Sequence, residues 1–130
     1  MKDIIITPQE DELYRPRVHF NADQGVCTIE GESYIEDINE FYDPLIDWLK
    51  EYTQIQHTTL IFNFKLTYYN TSSSKKIIEM LKVLKHFKQK NGVLSINWYY
   101  SKEDTDIIED AEDFMIISGL QFNLKKIDHE

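Results

Sequence analysis

Hydrophobic positions change their spacing several times along the chain, and each change marks a predicted element. Val18 to Phe20 and Val26 to Glu30 alternate as short strands around Asn21-Ala22-Asp23-Gln24-Gly25, whose Asn, Asp and Gly suit a hairpin turn. The two runs are expected to pair antiparallel. From Asn39 the spacing lengthens to three and four through Phe41, Leu45, Trp48 and Leu49. That predicts a first helix with Asn39 as its N-cap and Pro44 tolerated only near its first turn. Residues 58–69 are β-branched and aromatic, with Leu60, Phe62, Phe64 and Leu66 on one face, and predict a central strand. Beyond Asn70 to Ser74, a stripe of Ile77, Ile78, Leu81, Leu84 and Phe87 predicts a second helix that stops at Asn91-Gly92. Val93 to Tyr100 reads as a strand, Asp104 to Ser118 as a third helix ended by Gly119, and Leu120 to Ile127 as a last strand.

The resulting order is ββαβαβαβ, with Ile4 to Ile6 as a candidate opening strand. Strands that alternate with helices need crossover connections, so the expected class is α/β: a mixed sheet of about five strands with three helices packed on it.

Composition narrows the picture. At 130 residues and 42% hydrophobic, with seven Phe, eight Tyr and two Trp, residues 1–130 are expected to form a single domain with its own core. The formal charge of −9, from 23 acidic and 14 basic residues, opposes a phosphate backbone and argues against nucleic acid as a partner. No apolar run reaches the roughly 18 residues of a membrane span. The isoleucines after Met1-Lys2-Asp3 give way at once to polar and acidic residues, unlike a signal-peptide core, so a cytoplasmic location and no membrane partner are expected. Cys27 is the only cysteine, which excludes an internal disulfide and a multi-cysteine metal site; between Val26 and Ile29 it reads as a buried strand residue.

Candidate chemistry is sparse. His19, His57, His86 and His129 fall in different elements without metal-ligand spacing, and phosphate-loop and nucleophile-elbow patterns are missing, so neither catalysis nor a cofactor is expected. Glu103, Asp104, Asp106, Glu109, Asp110, Glu112 and Asp113 crowd the third helix and read as a solvated or partner-binding face before a catalytic dyad. The second helix carries Lys75, Lys76, Lys82, Lys85, Lys88 and Lys90, a basic face for solubility, for an acidic partner or for an anion. Between the central strand and that helix lie Asn70-Thr71-Ser72-Ser73-Ser74. One of these side chains is expected to cap the helix; alternatively, free amides, a positive dipole end and nearby Lys75 and Lys76 suit the spot to bear a phosphoryl group. The same helix start is also the place where a nucleotide or other anion would be sensed without a covalent bond.

Four blocks, in order, carry a resemblance: Gly31-Glu32-Ser33-Tyr34; Phe41-Tyr42-Asp43-Pro44-Leu45-Ile46-Asp47-Trp48-Leu49; Phe64-Lys65-Leu66-Thr67-Tyr68-Tyr69-Asn70-Thr71-Ser72-Ser73; and Trp98-Tyr99-Tyr100 with Glu109-Asp110-Ala111-Glu112-Asp113-Phe114. Together they resemble the SiaC family of bacterial regulatory phosphoproteins. The resemblance implies a fold like the STAS domain of anti-sigma factor antagonists. It implies phosphorylation on Thr71, with Tyr69, Asn70, Ser72, Ser73, Lys75 and Lys76 forming the surround that partners contact. It also implies a partner-switching cycle, with a cognate protein kinase, a PP2C-type phosphatase and a diguanylate cyclase as target. One departure is Ile35, where the family usually has proline; this is expected to loosen the loop into the first helix.

Overall fold

The computed structural model describes residues 1–55 and 59–127. A six-stranded sheet runs in chain order from edge to edge: β1 (Ile4–Ile6), β2 (Arg17–Asn21), β3 (Val26–Ser33), β4 (Thr59–Tyr69), β5 (Val93–Ser101) and β6 (Asn123–Ile127). β1, β2 and β3 pair antiparallel, and β3 to β6 pair parallel through α1 (Ile38–Tyr52), α2 (Thr71–Gln89) and α3 (Thr105–Ser118). This is the expected mixed α/β architecture, with the candidate Ile4–Ile6 strand making the sixth. Because strand order never reverses, right-handed crossovers bring all three helices to the same face.

Between that face and the helices lies the core. Phe20, Cys27, Ile29, Leu60, Phe62, Phe64 and Trp98 from the strands meet Leu45, Leu49, Ile77, Leu81 and Leu84 from the helices, all buried. Burial also pushes the Cys27 thiol pKa up, so this cysteine packs as a small apolar residue. Trp98 gathers the aromatic cluster, stacked on Phe122 with centroids 5.5 Å apart and tilted against Phe64 and Phe114.

Several predicted boundaries move. The cap of α1 is Asp37, not Asn39: its carboxylate accepts from the Glu40 amide at 3.5 Å, and starting the helix at Ile38 sets that side chain against the core. Pro44 then lies in the second turn, where its missing N–H leaves the Glu40 carbonyl without its i+4 donor on the exposed side of the helix. The last strand begins at Asn123, because Leu120 and Phe122 are buried by packing rather than by ladder pairing, and Leu120 N–H bonds Ser118 Oγ instead. Asn91, with φ of 69°, takes the left-handed position that ends α2. Of the predicted 58–69 strand, Thr58 lies outside the described residues, as do His57 and His129.

The face of the sheet away from the helices stays open. It carries exposed Arg17, His19 and Glu30, and a ladder of amides: Asn123 Nδ2 donates to Asn97 Oδ1 (3.1 Å), Asn97 Nδ2 to Asn63 Oδ1 (2.8 Å) and Asn63 Nδ2 to Thr28 Oγ1 (3.2 Å). Among the described residues, no helix is long and apolar enough to cross a membrane, and no group of three His, Cys, Asp or Glu side chains is placed to hold a metal ion.

Candidate functional site

The end of β4 sets the site. Up to Leu66, even-numbered residues face the helices; a β-bulge then shifts the register against β3 between Gly31 and Glu32, where Gly31 takes a φ of 107° that a side chain would resist. The shift reverses the alternation. Tyr68 turns outward beside Tyr34, with ring centroids 6.1 Å apart, and Tyr69 turns inward, where its hydroxyl donates to Asp110 Oδ2 of α3 at 2.7 Å. Burial first, then the bond and charge of Asp110, push the Tyr69 phenol pKa up and keep it a donor.

The next residues start α2. Asn70 is the N-cap: its Oδ1 accepts from the Ser73 amide at 2.9 Å, and its own N–H donates to the Ser33 carbonyl at 3.2 Å. Ser73 is fully buried, and its hydroxyl donates to the same Ser33 carbonyl at 3.0 Å. That commitment orders a chain of hydroxyls. Ser33 Oγ lies 2.7 Å from Ser73 Oγ and 2.6 Å from Tyr42 Oη, so with the Ser73 proton spent on a carbonyl, Ser33 donates to Ser73 and Tyr42 to Ser33. Burial pushes the Tyr42 pKa up to about 12.

The four hydroxyl residues therefore divide. Ser73 is inside the fold, and Ser74 Oγ donates to the Asn70 carbonyl at 3.2 Å. Thr71 and Ser72 are exposed on the first turn, and neither hydroxyl is hydrogen-bonded among the described residues. The lysines divide too. Lys75 is exposed one turn beyond Thr71, whereas Lys76 bonds Asp43 of α1 at 2.9 Å and lies 3.5 Å from Glu79. The Asp43 hydrogen bond leads in raising the Lys76 pKa, so Lys76 ties α2 to α1 instead of waiting for an anion.

Beside Asn70 opens a depression of about 660 Å³ lined by Tyr14, Arg15, Tyr34, Ile35, Glu36, Asp37 and Glu40. Its three carboxylates outnumber the one guanidinium, which lies over the Phe41 ring at 5.5 Å and 3.7 Å from Glu12. Such a lining disfavours a free anion, which weakens the non-covalent sensor reading. Ile35 is only 7% exposed, so its side chain packs the loop into α1 against the core. On α3, Asp106, Glu109, Glu112 and Asp113 are exposed, as is Glu103 in the turn before it, while Asp104 accepts from Ser101 Oγ and Asp110 from Tyr69. The acidic run is thus a solvated face with two structural members.

The sequence model of the SiaC family of regulatory phosphoproteins matches residues 8–127. An uncharacterized protein of Pseudomonas aeruginosa strain UCBPP-PA14 is 28% identical over 99 residues, covering 76% of this chain and 79% of that relative. The crystal structure of apo-SiaC from Pseudomonas aeruginosa superposes with a TM-score of 0.86 at 25% identity, covering 96% of this chain and 99% of that one. A chain in the crystal structure of the diguanylate cyclase SiaD in complex with its activator SiaC, from the same organism, gives a TM-score of 0.86 at 24% identity, covering 98% of this chain and 100% of that one.

Proposed function

Because the chain belongs to the SiaC family of regulatory phosphoproteins, we propose that it is a non-enzymatic switch whose Thr71 hydroxyl accepts a phosphoryl group and thereby controls binding to a signalling target. The observation that carries this reading is the division of the hydroxyls: Thr71 is exposed and uncommitted on the first turn of α2, directly above a buried network that fixes that turn. In the transfer step, Thr71 Oγ1 attacks the γ-phosphorus of ATP in a cognate kinase, its proton passes to a base of that kinase, and ADP leaves. A PP2C-type phosphatase reverses the modification by hydrolysis, releasing inorganic phosphate.

The physical effect is on the surface, not on the fold. A phosphate adds about −1.5 to −2 charge at neutral pH. At the first turn of a helix it meets the positive end of the dipole, a favourable contact of roughly 0.3–1 kcal/mol. α2 is therefore kept, and the face presented to a partner turns more negative. The target in this reading is a diguanylate cyclase, bound and activated by the unmodified form. The complex of SiaD with its activator SiaC supports that choice of target, by similarity of fold.

Intact-mass and peptide mass spectrometry after incubation with the cognate kinase and ATP tests the reading. One phosphate on Thr71, absent from Thr71→Ala, together with loss of the cyclase complex on size exclusion, is expected. A phosphate placed elsewhere, or a complex indifferent to it, overturns the switch.

A further inference from the structure

We propose that the groove between the last turn of α1 and the second half of α2 docks an acidic helix of a partner protein, at a surface separate from Thr71. The groove has a volume of about 410 Å³, and its charged lining is wholly basic: Lys50 from α1 faces Lys82 and Lys90 from the α2 side, with the His86 imidazole between them in sequence. Among the described residues none of these four is in an ion pair. In a chain with formal charge −9 this is a local reversal of sign.

Two other lysines of α2 are already engaged. Lys76 pairs with Asp43, and Lys85 lies over Gly119, where a Cβ would stand 2.8 Å from its ammonium nitrogen, at the C-terminal end of α3 that favours a cation. Lys82 has no such local work, and His86 and Lys90, at the C-terminal end of α2, share the helix dipole but make no ion pair among the described residues. The three recur every fourth residue, so they stack along one side of α2 about 6 Å apart per turn. A partner helix with carboxylates at the same four-residue interval matches that row one for one. Half-buried Val83 and the methylene stems of the lysines supply an apolar floor for the rest of such a helix. Nucleic acid fits poorly, because a backbone longer than the groove would run onto a surface that is negative overall.

Distance separates this surface from the switch. Lys82 lies eleven residues beyond Thr71 on the same helix, roughly 16 Å along the axis, and Lys90 farther still. That is about two Debye lengths at physiological salt, so a phosphate on Thr71 is largely screened at the groove. The groove would hold an acidic partner in either phosphorylation state, independently of the target that Thr71 controls.

The test uses the full chain and a fluorescein-labelled helical peptide of about 20 residues, long enough to be helical in isolation, with glutamates at four-residue spacing along one face. Fluorescence anisotropy is expected to show binding that weakens with added salt. Lys82→Glu with Lys90→Glu should weaken it at least about tenfold, and the matched pair Lys125→Glu with Lys126→Glu on β6 less than about twofold. Phosphorylation of Thr71 should leave the affinity within about twofold. Both lysine pairs are exposed, so circular dichroism melts of the variants should overlay the wild type. Equal losses from the two variant pairs, equal binding of a composition-matched peptide with glutamates spread around the helix, tighter binding of a single-stranded DNA of the same charge, or no binding at all would each overturn the proposal.

Discussion

Two chains of side-chain hydrogen bonds lie on opposite faces of the same sheet. On the helix side, Tyr42, Ser33 and Ser73 form a sealed run of hydroxyls that ends on the Ser33 carbonyl. On the open side, Thr28, Asn63, Asn97 and Asn123 form a ladder across four strands, with Asn63 half-exposed and Asn123 exposed. The bonds have similar lengths, yet water can replace a lost partner at Asn63 and Asn123 on the open side, whereas buried Asn97 and the sealed run depend on the partners they have. An unsatisfied buried group costs about 1–3 kcal/mol, while an exposed bond nets far less. The sealed chain therefore dictates one geometry for the first turn of α2, whereas the open ladder tolerates change.

Breaking the sealed chain in the middle should have the largest effect. Ser73→Val removes one hydroxyl, strands the Ser33 proton and puts two methyls in its place, and should lower stability by about 2–3 kcal/mol in urea unfolding. A loss under 1 kcal/mol would erase the contrast drawn above. Tyr42→Phe should cost about 1–2 kcal/mol near neutral pH. Its pH dependence sharpens the point, because the folded phenol pKa is raised from 10 to about 12. Folding thus favours the neutral phenol; that contribution, on the order of 2 kcal/mol, is present in full below pH 10 and is lost as pH rises through about 12. The wild type should lose its margin over Tyr42→Phe across that window. Cys27 and Tyr69 are present in both proteins, so their own titration cancels in the difference.

Smaller effects follow at the edges of the comparison. Asn70→Ala removes the cap that holds the Ser73 amide and should cost about 1 kcal/mol. It should also slow phosphorylation of Thr71 in a kinase assay, since the first turn frays. Thr28→Val on the open ladder, which leaves the partly exposed Asn63 amide to water, should cost about 0.5 kcal/mol or less, with phosphorylation unchanged. If it cost as much as Ser73→Val, the ladder would be as sealed as the hydroxyl chain.

Local pattern made most of the architecture readable. Leu60, Phe62, Phe64 and Leu66 alternate cleanly because one face of β4 is covered and the other is not. Ile4 to Ile6 was harder to place, since a three-residue edge strand is too short to display alternation. The bulge was invisible in β4 itself. Strict alternation would turn Tyr68 inward and Tyr69 outward, and nothing in the local pattern marks Thr67 as the extra residue that skips its partner in β3. At the site, four consecutive hydroxyl residues look alike in sequence, but Ser73 lies four residues before Ile77 on the buried stripe of α2, and that phase was the available sign that it points inward. Its partners Ser33 and Tyr42 lie 40 and 31 positions earlier (73 − 33 and 73 − 42), beyond the reach of any periodicity.

The order of the strands bears on how the protein is made. Each strand lies beside the one before it in the chain, so none has to be threaded between two already placed. As the chain leaves the ribosome at roughly 5–20 residues per second, the sheet can grow from one edge, each addition closing a loop no longer than one crossover. Ser33, Tyr42 and Ser73 all precede β5 in the chain and so emerge before it does, and the hydroxyl chain can close then. Asp110 arrives later, with α3, on a Tyr69 already turned to receive it. The nascent chain can thus fix the first turn of α2 before it finishes its sheet.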